Sequence, residues 1–266
     1  SPEHVKRFEF FNGKKISVMG DTRFEQPIPD YQIKKANAFK KKYLKDCFAV
    51  CFASVGKKED VIIVDVIKQV LSRLSSNKKL KFFFIFVPRH PSDFGICDNL
   101  FGGVPAKIGK RSLLFENKLN PNPLSFSENE IKKLDGLWGD SLGEMNFYLG
   151  LSDLVFMGDS FNEEGSHNII EPFALEKPVL VGPSIWGIEY PANEALEAGI
   201  LNQVFTKGDL VDELVKSFNR FAKDKNQEVL KKKISLFYQS HSGASEIFLD
   251  SLCNEKLVTK YKIKSV

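Results

Sequence analysis

The sequence predicts an α/β fold, a doubly wound parallel sheet with helices on both faces. Three observations carry that expectation. Short apolar runs alternate with stretches of helical periodicity through most of the chain. Strands separated by helices pair in parallel through right-handed crossovers. The length, 266 residues, suits one large α/β unit with extensions.

Taken in order, "KISVMG" (residues 15–20) and "FAVCFAS" (48–54) read as buried strands. A helix over residues 59–76 follows, with an apolar stripe at Ile63, Ile67, Val70, Leu71 and Leu74. "KFFFIFVPRH" (81–90) is a third strand, stopped by Pro88, and residues 92–127, rich in Gly, Asn and Pro, read as irregular. "KKLDGLW" (132–138) is a strand ending at "GDSLG", and "EMNFYLGLS" (144–152) is a short helix. "DLVFMGDS" (153–160) is a strand, "NIIEPFALE" (168–176) a helix, "PVLVGP" (178–183) a strand, "NEALEAG" (193–199) a helix and "LNQVFT" (201–206) a last strand. "KGDLVDELVKSFNRFAK" (207–223) and two further helical segments complete the chain. In such sheets ligands bind outside the carboxyl ends of the strands, where most of the motifs below fall.

Composition narrows the class. An apolar share of 42% with 27% charged residues fits a soluble globular protein, and no apolar run is long enough to span a bilayer. Cys47, Cys51, Cys97 and Cys253 form no C-x-x-C, which points to neither a disulfide framework nor zinc and fits a reducing cytosol. The net charge of +4 gathers in "KKANAFKKKYLK", "VLKKKIS" and the tail "KLVTKYKIK". Such runs read either as solvated helix faces or as attraction to anionic lipid or substrate. "SPEHVKRFEF" lacks the apolar segment of a signal peptide, and without an initiating methionine the chain is expected to be processed or a piece of something longer.

"GDSLG" (139–143) matches G-x-S-x-G, the turn that presents a nucleophilic serine, and its letters resemble the GDSL lipases. A nucleophile needs a base and an orienting acid, and only His167 and His241 follow Ser141 in the chain. The lipases use D-x-x-H, whereas Glu164 and Tyr238 precede these histidines by three. An esterase is therefore not expected.

"FMGDSFNEEGSHNIIEPFALEKPVLVGP" (156–183) is more informative. A strand ends near Gly158, a loop carries Gly165, Ser166, His167 and Asn168, and a helix begins with Glu171 and Pro172 in its first turn. Small polar residues before a helix N-terminus let a phosphate approach backbone N–H groups, and Glu171 one turn on can accept from two ribose hydroxyls. The equally weighted alternative is a plain cap, with Glu171 favouring the helix dipole.

"GSHNIIEPFALEKPVLVGP" resembles the G-G-H-N-x-x-E-P signature of the Kdo transferases, which add 3-deoxy-D-manno-octulosonic acid to the lipid A precursor. Four further stretches are similar in the same order. "GDTRFE" (20–25) is similar to the family's G-N-L-K-F-D, "FVPRHPSDF" (86–94) to R-H-P-E-R-F, "GKRS" (109–112) to R-R-S, and "GDSLGEM" (139–145) to D-T-M-G-E-L.

The resemblance implies the carboxyl-terminal half of a GT-B glycosyltransferase, a Rossmann-like domain over residues 27–254. Residues 1–26 would form an interdomain linker and first strand, and 255–266 a basic tail. Its ligand would be a CMP-sugar donor, CMP-Kdo, with neither cofactor nor metal. The implied binding residues are Ser54, Arg89, His90, Ser141, Leu142, Gly143, Glu144, Gly165, Ser166, His167, Asn168 and Glu171. Arg89 would meet the donor's phosphate or carboxylate, His90 and His167 would be hydrogen-bonding scaffolds, and Asp140 to Glu144 would form a turn beside the nucleotide, with Leu142 near the base. Catalytic residues are expected in none of this chain, because the family's catalytic carboxylate and lipid-facing surface belong to the amino-terminal domain. The lipid A precursor would be met through that missing domain. The expected place is cytoplasmic, with peripheral contact on the inner membrane as a second expectation.

The sequence departs from the family in three places. Ser54, Val55 and Gly56 stand where the family has S-T-H, so a histidine is lost; G-G-H-N has become G-S-H-N; and R-H-P-E-R-F has become R-H-P-S-D-F. A nucleotide-sugar epimerase of the same fold and a non-catalytic nucleotide-binding module are the alternatives. Lysine runs without a recognition motif give no nucleic-acid role.

Overall fold

The computed structural model describes residues 2–254 apart from 15, 78, 117–124, 164 and 226. Helix α1 (Pro2–Phe10), a 3-10 turn (Thr22–Glu25) and α2 (Asp30–Tyr43) precede the first strand, β1 (Cys47–Val55). The chain continues through α3 (Glu59–Leu74), β2 (Lys81–Pro88), a 3-10 segment (Pro91–Ile96), α4 (Cys97–Phe101), β3 (Ile108–Lys110), α5 (Arg111–Leu114), α6 (Glu128–Lys132), β4 (Gly136–Trp138) and α7 (Met145–Leu151). It ends through β5 (Leu154–Met157), α8 (Ile170–Ala174), β6 (Val179–Val181), α9 (Glu189–Glu197), β7 (Leu201–Gln203), α10 (Lys207–Lys223), α11 (Glu228–Ser240) and α12 (Ala244–Asn254).

Among the described residues the strands form one sheet in the order β3-β4-β2-β1-β5-β6-β7, and every pair is parallel. From β1 the chain passes to β2 and the edge strand β3, returns with β4 between them, and then crosses to β5, β6 and β7 on the other side of β1. The topological switch point, where such sheets open a ligand crevice, therefore lies between the carboxyl ends of β1 and β5.

The two-residue period of a strand divides the core into two layers. Phe48, Val50 and Phe52 of β1 and Phe82, Phe84 and Phe86 of β2 pack with Trp138 and Phe101 against α3 and α10. Ala49, Cys51 and Ala53 face the other way, toward α2, α7 and α8. Small residues on that side let helices approach: a Cβ on Gly150 of α7 would lie 2.8 Å from Ala36 Cβ of α2. Each enclosed aromatic contributes on the order of 1.5–3 kcal/mol. Burial pushes the Cys47 thiol up to about 11 and that of Cys97 up to about 12, and the described cysteines are unpaired.

Several expectations need correction. Residues 16–20 of "KISVMG" form no strand; Val18 is half-exposed and no neighbouring strand offers its backbone a partner. The following stretch folds onto the carboxyl-terminal helices instead. Phe24 is buried against Tyr238 and His241, and Glu25 accepts N–H bonds from Gly243 and Ser245. The segment 92–127, read as irregular, contains β3 and the short helices α4 and α5, with residues 117–124 outside the described part. The lysine run at 34–45 lies on α2 up to Tyr43 and that at 229–235 lies on α11, whereas the tail 255–266 lies outside the described residues. Among the described residues no helix is long and apolar enough to cross a membrane.

Candidate functional site

The carboxyl end of β1 is irregular by construction. Its register with β2 shifts between Phe52 and Val55, and Ser54 adopts a left-handed backbone at φ 57°. Such a bulge re-aims the chain at the rim of a sheet. Gly56 follows because nothing larger fits: a Cβ there would stand 1.7 Å from Asp159 Oδ1.

Asp159, just past β5, is the centre of the cluster at the switch point. It is 2% exposed, sits at φ 59°, and its carboxylate meets Arg89 Nη1 and His167 Nε2, each at 3.2 Å. Asn162 Nδ2 donates to the other oxygen at 3.0 Å. Arg89 Nη1 also lies 2.8 Å from His167 Nδ1. A guanidinium only donates, so Nδ1 accepts and the imidazole proton sits on Nε2, which donates to Asp159. Burial and the adjacent Arg89 hold His167 below the ordinary histidine value, in keeping with that neutral tautomer.

Beneath Asp159 lies Glu59, the first residue of α3 and wholly buried. Its carboxylate accepts the backbone N–H of Asp159 at 2.6 Å and of Phe161 at 3.0 Å. Burial pushes it up to about 7. An open cleft of about 700 Å³ lies above, lined by Lys57, Lys58, Arg89, His90, Asp159 and Glu163 among others.

The loop into α8 supplies the next group. Gly165 is at φ 91° and lies so close to the Trp186 carbonyl that a Cβ would stand 2.3 Å from its oxygen. The Ser166 hydroxyl is buried without a hydrogen-bond partner among the described residues, an exception that ligand sites commonly explain. Asn168 caps Ile170 N–H at 3.0 Å and donates to Glu171 Oε1 at 3.2 Å; burial raises the Glu171 carboxyl above its ordinary range. Helix α8 has only five residues, so its dipole is slight and the helix-terminus expectation shrinks to local N–H and side-chain donors.

The turn from β4 to α7 forms a second, well-tied group. Asp140 accepts from the Ser112 backbone N–H and hydroxyl, and Gly143, at φ 77°, accepts from buried Gln32 at 2.8 Å. Ser141 is bonded to Glu144 and Tyr148, not to an imidazole. Glu144 also takes the wholly buried Arg111 at 2.7 Å. His241 Nε2 meets Glu194 at 2.6 Å, so neither histidine that could have served Ser141 pairs with it. Leu142 is 78% exposed at the tip of the turn.

Of the predicted residues, Arg89 and His90 line the open cleft and Arg89 meets His167 directly; Ser54 ends β1, the Ser141–Glu144 turn follows β4, and Gly165 to Glu171 lie in the loop after β5 and in α8. Sequence reasoning named no carboxylate to orient His167, and the structure supplies Asp159. It also missed Glu59, Gln32 and the partnership of Arg111 with Glu144. The signals for the carboxylates were faint: Asp159 adjoins a strand-end glycine, and Glu59 opens a helix, where acidic residues are ordinary. Among the described residues no cluster of three or more His, Cys, Asp or Glu is placed to hold a metal ion.

No protein-family model matches the chain. It is 25% identical over 236 residues to the 3-deoxy-D-manno-octulosonic acid transferase of Bordetella pertussis, covering 89% of this chain and 51% of that protein. The transferase of the same description from Haemophilus influenzae is 25% identical over 169 residues, 64% of this chain and 35% of that one. The chain therefore spans about half or less of these curated relatives. Among solved structures, the C-terminal CMP-Kdo binding domain of WaaA from Acinetobacter baumannii superposes with a TM-score of 0.61 at 24% identity, over 77% of this chain and 96% of that domain. The resemblance to Kdo transferases drawn from the five motifs stands, and the fold is that of a GT-B carboxyl-terminal domain.

Proposed function

We propose that this chain is the donor-binding half of a glycosyltransferase that moves Kdo from CMP-Kdo to a lipid A precursor. The observation that carries the reading is the meeting of Arg89 and His167, from two separate matched motifs 78 residues apart, at the switch point of the sheet. Local capping alone gives no reason for motifs so distant in sequence to share a cleft.

In the reaction, an acceptor hydroxyl attacks the anomeric carbon of Kdo, the bond from that carbon to the CMP phosphate oxygen breaks, and the hydroxyl proton passes to a carboxylate. The resemblance assigns that carboxylate, and the lipid-facing surface, to an amino-terminal half. This half contributes charge and position. Arg89 faces the developing phosphate charge, with Lys57 and Lys58 along the cleft, while Ser166 and the Gly165 loop offer close donors. Glu171 accepts from the ribose hydroxyls, and Ser54, His90 and the Ser141–Glu144 turn frame the nucleotide. The proposal invokes neither a catalytic metal nor a cofactor. It places the protein in the cytoplasm, with peripheral contact at the inner membrane where its lipid acceptor lies.

Arg89→Ala and Glu171→Ala test the site. Charge-assisted hydrogen bonds contribute roughly 1.5–3 kcal/mol, so each variant is expected to lose about 10- to 100-fold in CMP affinity. Unchanged affinity in both would overturn the reading.

A further inference from the structure

We infer that Asp159 is a positioning residue of the donor site: seated on Glu59 in the space that Gly56 leaves open, it holds Arg89 and neutral His167 in one chain, whose outer edge receives the donor's anionic group. The inference rests on the donor-site reading and goes beyond it by naming what orders the two motif residues.

The sequence first makes room. At Gly56 the Asp159 carboxylate fills the space a side chain would take; its Oδ1 lies 1.7 Å from where a Cβ would stand. The backbone is then fixed in a sparsely populated conformation, φ 59°, which persists only where surroundings impose it. Glu59 imposes it by accepting the N–H of Asp159 and of Phe161.

The carboxylate next orders its two partners. Asp159 accepts from Nε2 of His167, which leaves Nδ1 to accept from Arg89. Both described side-chain contacts of Arg89 use Nη1, so the far edge of the guanidinium keeps the paired donors that suit a phosphate or carboxylate. Without Asp159 the Nε2–H of His167 loses its acceptor and the Arg89–His167 pair loses its fixed direction.

The sign of the effect separates positioning from charge. Asp159→Asn removes a negative charge beside an anion site, so electrostatics alone would tighten CMP binding. Positioning predicts the opposite, at least about tenfold weaker binding, equivalent to about 1.4 kcal/mol. Asparagine keeps the shape and tolerates the left-handed backbone, so the fold is expected to survive. Glu59→Gln, which replaces an acceptor beneath the loop, is expected to weaken binding in the same direction.

The test combines calorimetric CMP titration of the unaltered chain and both variants with the imidazole 15N shifts of His167, which report the tautomer without any ligand. The expected result is a neutral Nε2–H tautomer in the unaltered chain, a displaced Nε2 shift in Asp159→Asn, where an amide replaces the charged acceptor, and weaker CMP binding in both variants. A protonated or Nδ1–H imidazole in the unaltered chain would overturn the inference whatever CMP does. Equal or tighter CMP binding by Asp159→Asn would also overturn it. The expected tautomer with no CMP binding by the unaltered chain would instead overturn the donor-site reading, and the assigned ligand with it.

Discussion

Arg111 and Glu144 form an ion pair, Nη2 to Oε1 at 2.7 Å, in which the arginine is wholly enclosed. The guanidinium lies 4.8 Å from the Phe115 ring centre and 5.6 Å from that of Phe147, and Nη1 donates to the Phe115 carbonyl. Removing one partner of a buried pair strands the other charge. Arg111→Met is therefore expected to cost about 3–5 kcal/mol in urea unfolding, and Arg111→Lys a comparable amount, because an ammonium neither stacks nor forks. A loss below about 1 kcal/mol for Arg111→Met would show that the pair does not anchor the turn from β4 to α7.

Glu59 gives stability a pH dependence of definite sign. Its folded value, about 7, lies above the ordinary carboxylate value of about 4.3, so across that window the folded chain binds more protons than the unfolded one. Stability is accordingly expected to fall as pH rises from about 4.3 to 7, by up to about 4 kcal/mol from this group. Glu59→Gln should flatten that fall. Urea midpoints at pH 5 and pH 8 for both proteins measure it, and identical slopes would contradict the buried, protonated carboxyl.

Ser141 donates to Glu144 and neighbours Tyr148. Ser141→Ala is expected to lose about 1 kcal/mol of stability and to leave the hydrolysis of a p-nitrophenyl ester at the unaltered background. A serine-dependent rate would reopen the esterase alternative.

Gly165 is doubly constrained, by φ 91° and by the Trp186 carbonyl. Gly165→Ala should displace the loop that carries Ser166 and His167, lowering CMP affinity tenfold or more while far-UV circular dichroism stays unchanged. Retained affinity would mean that the close approach has no part in the site.

The central sheet was legible because β1, β2, β4, β5 and β6 are apolar runs bounded by turns, and burial of both faces leaves such runs little else to be. "KISVMG" has the same composition but lacks a neighbouring strand, and composition does not report partners. β3 was hidden because "IGK" is three residues long and draws its pairing from β4 alone. Helix α2 looked like a lysine run; only Gln32, Ala36 and Phe39 are buried on it, a sparse stripe in a charged segment. For the site, glycine, arginine and histidine motifs pointed to the carboxyl edge of the sheet, where Arg89 meets His167. Asp159 and Glu59 escaped because their role depends on a contact 100 residues apart, which no local pattern encodes.

The most direct test of the donor-binding account is calorimetric titration of the unaltered chain with CMP, with UDP as the comparison. The account predicts saturable CMP binding, one site per chain, with clear preference over UDP. Equal binding of the two, or preference for UDP, would contradict it and favour a nucleotide-sugar enzyme of another kind. Binding of neither would contradict the claim that this half holds the donor.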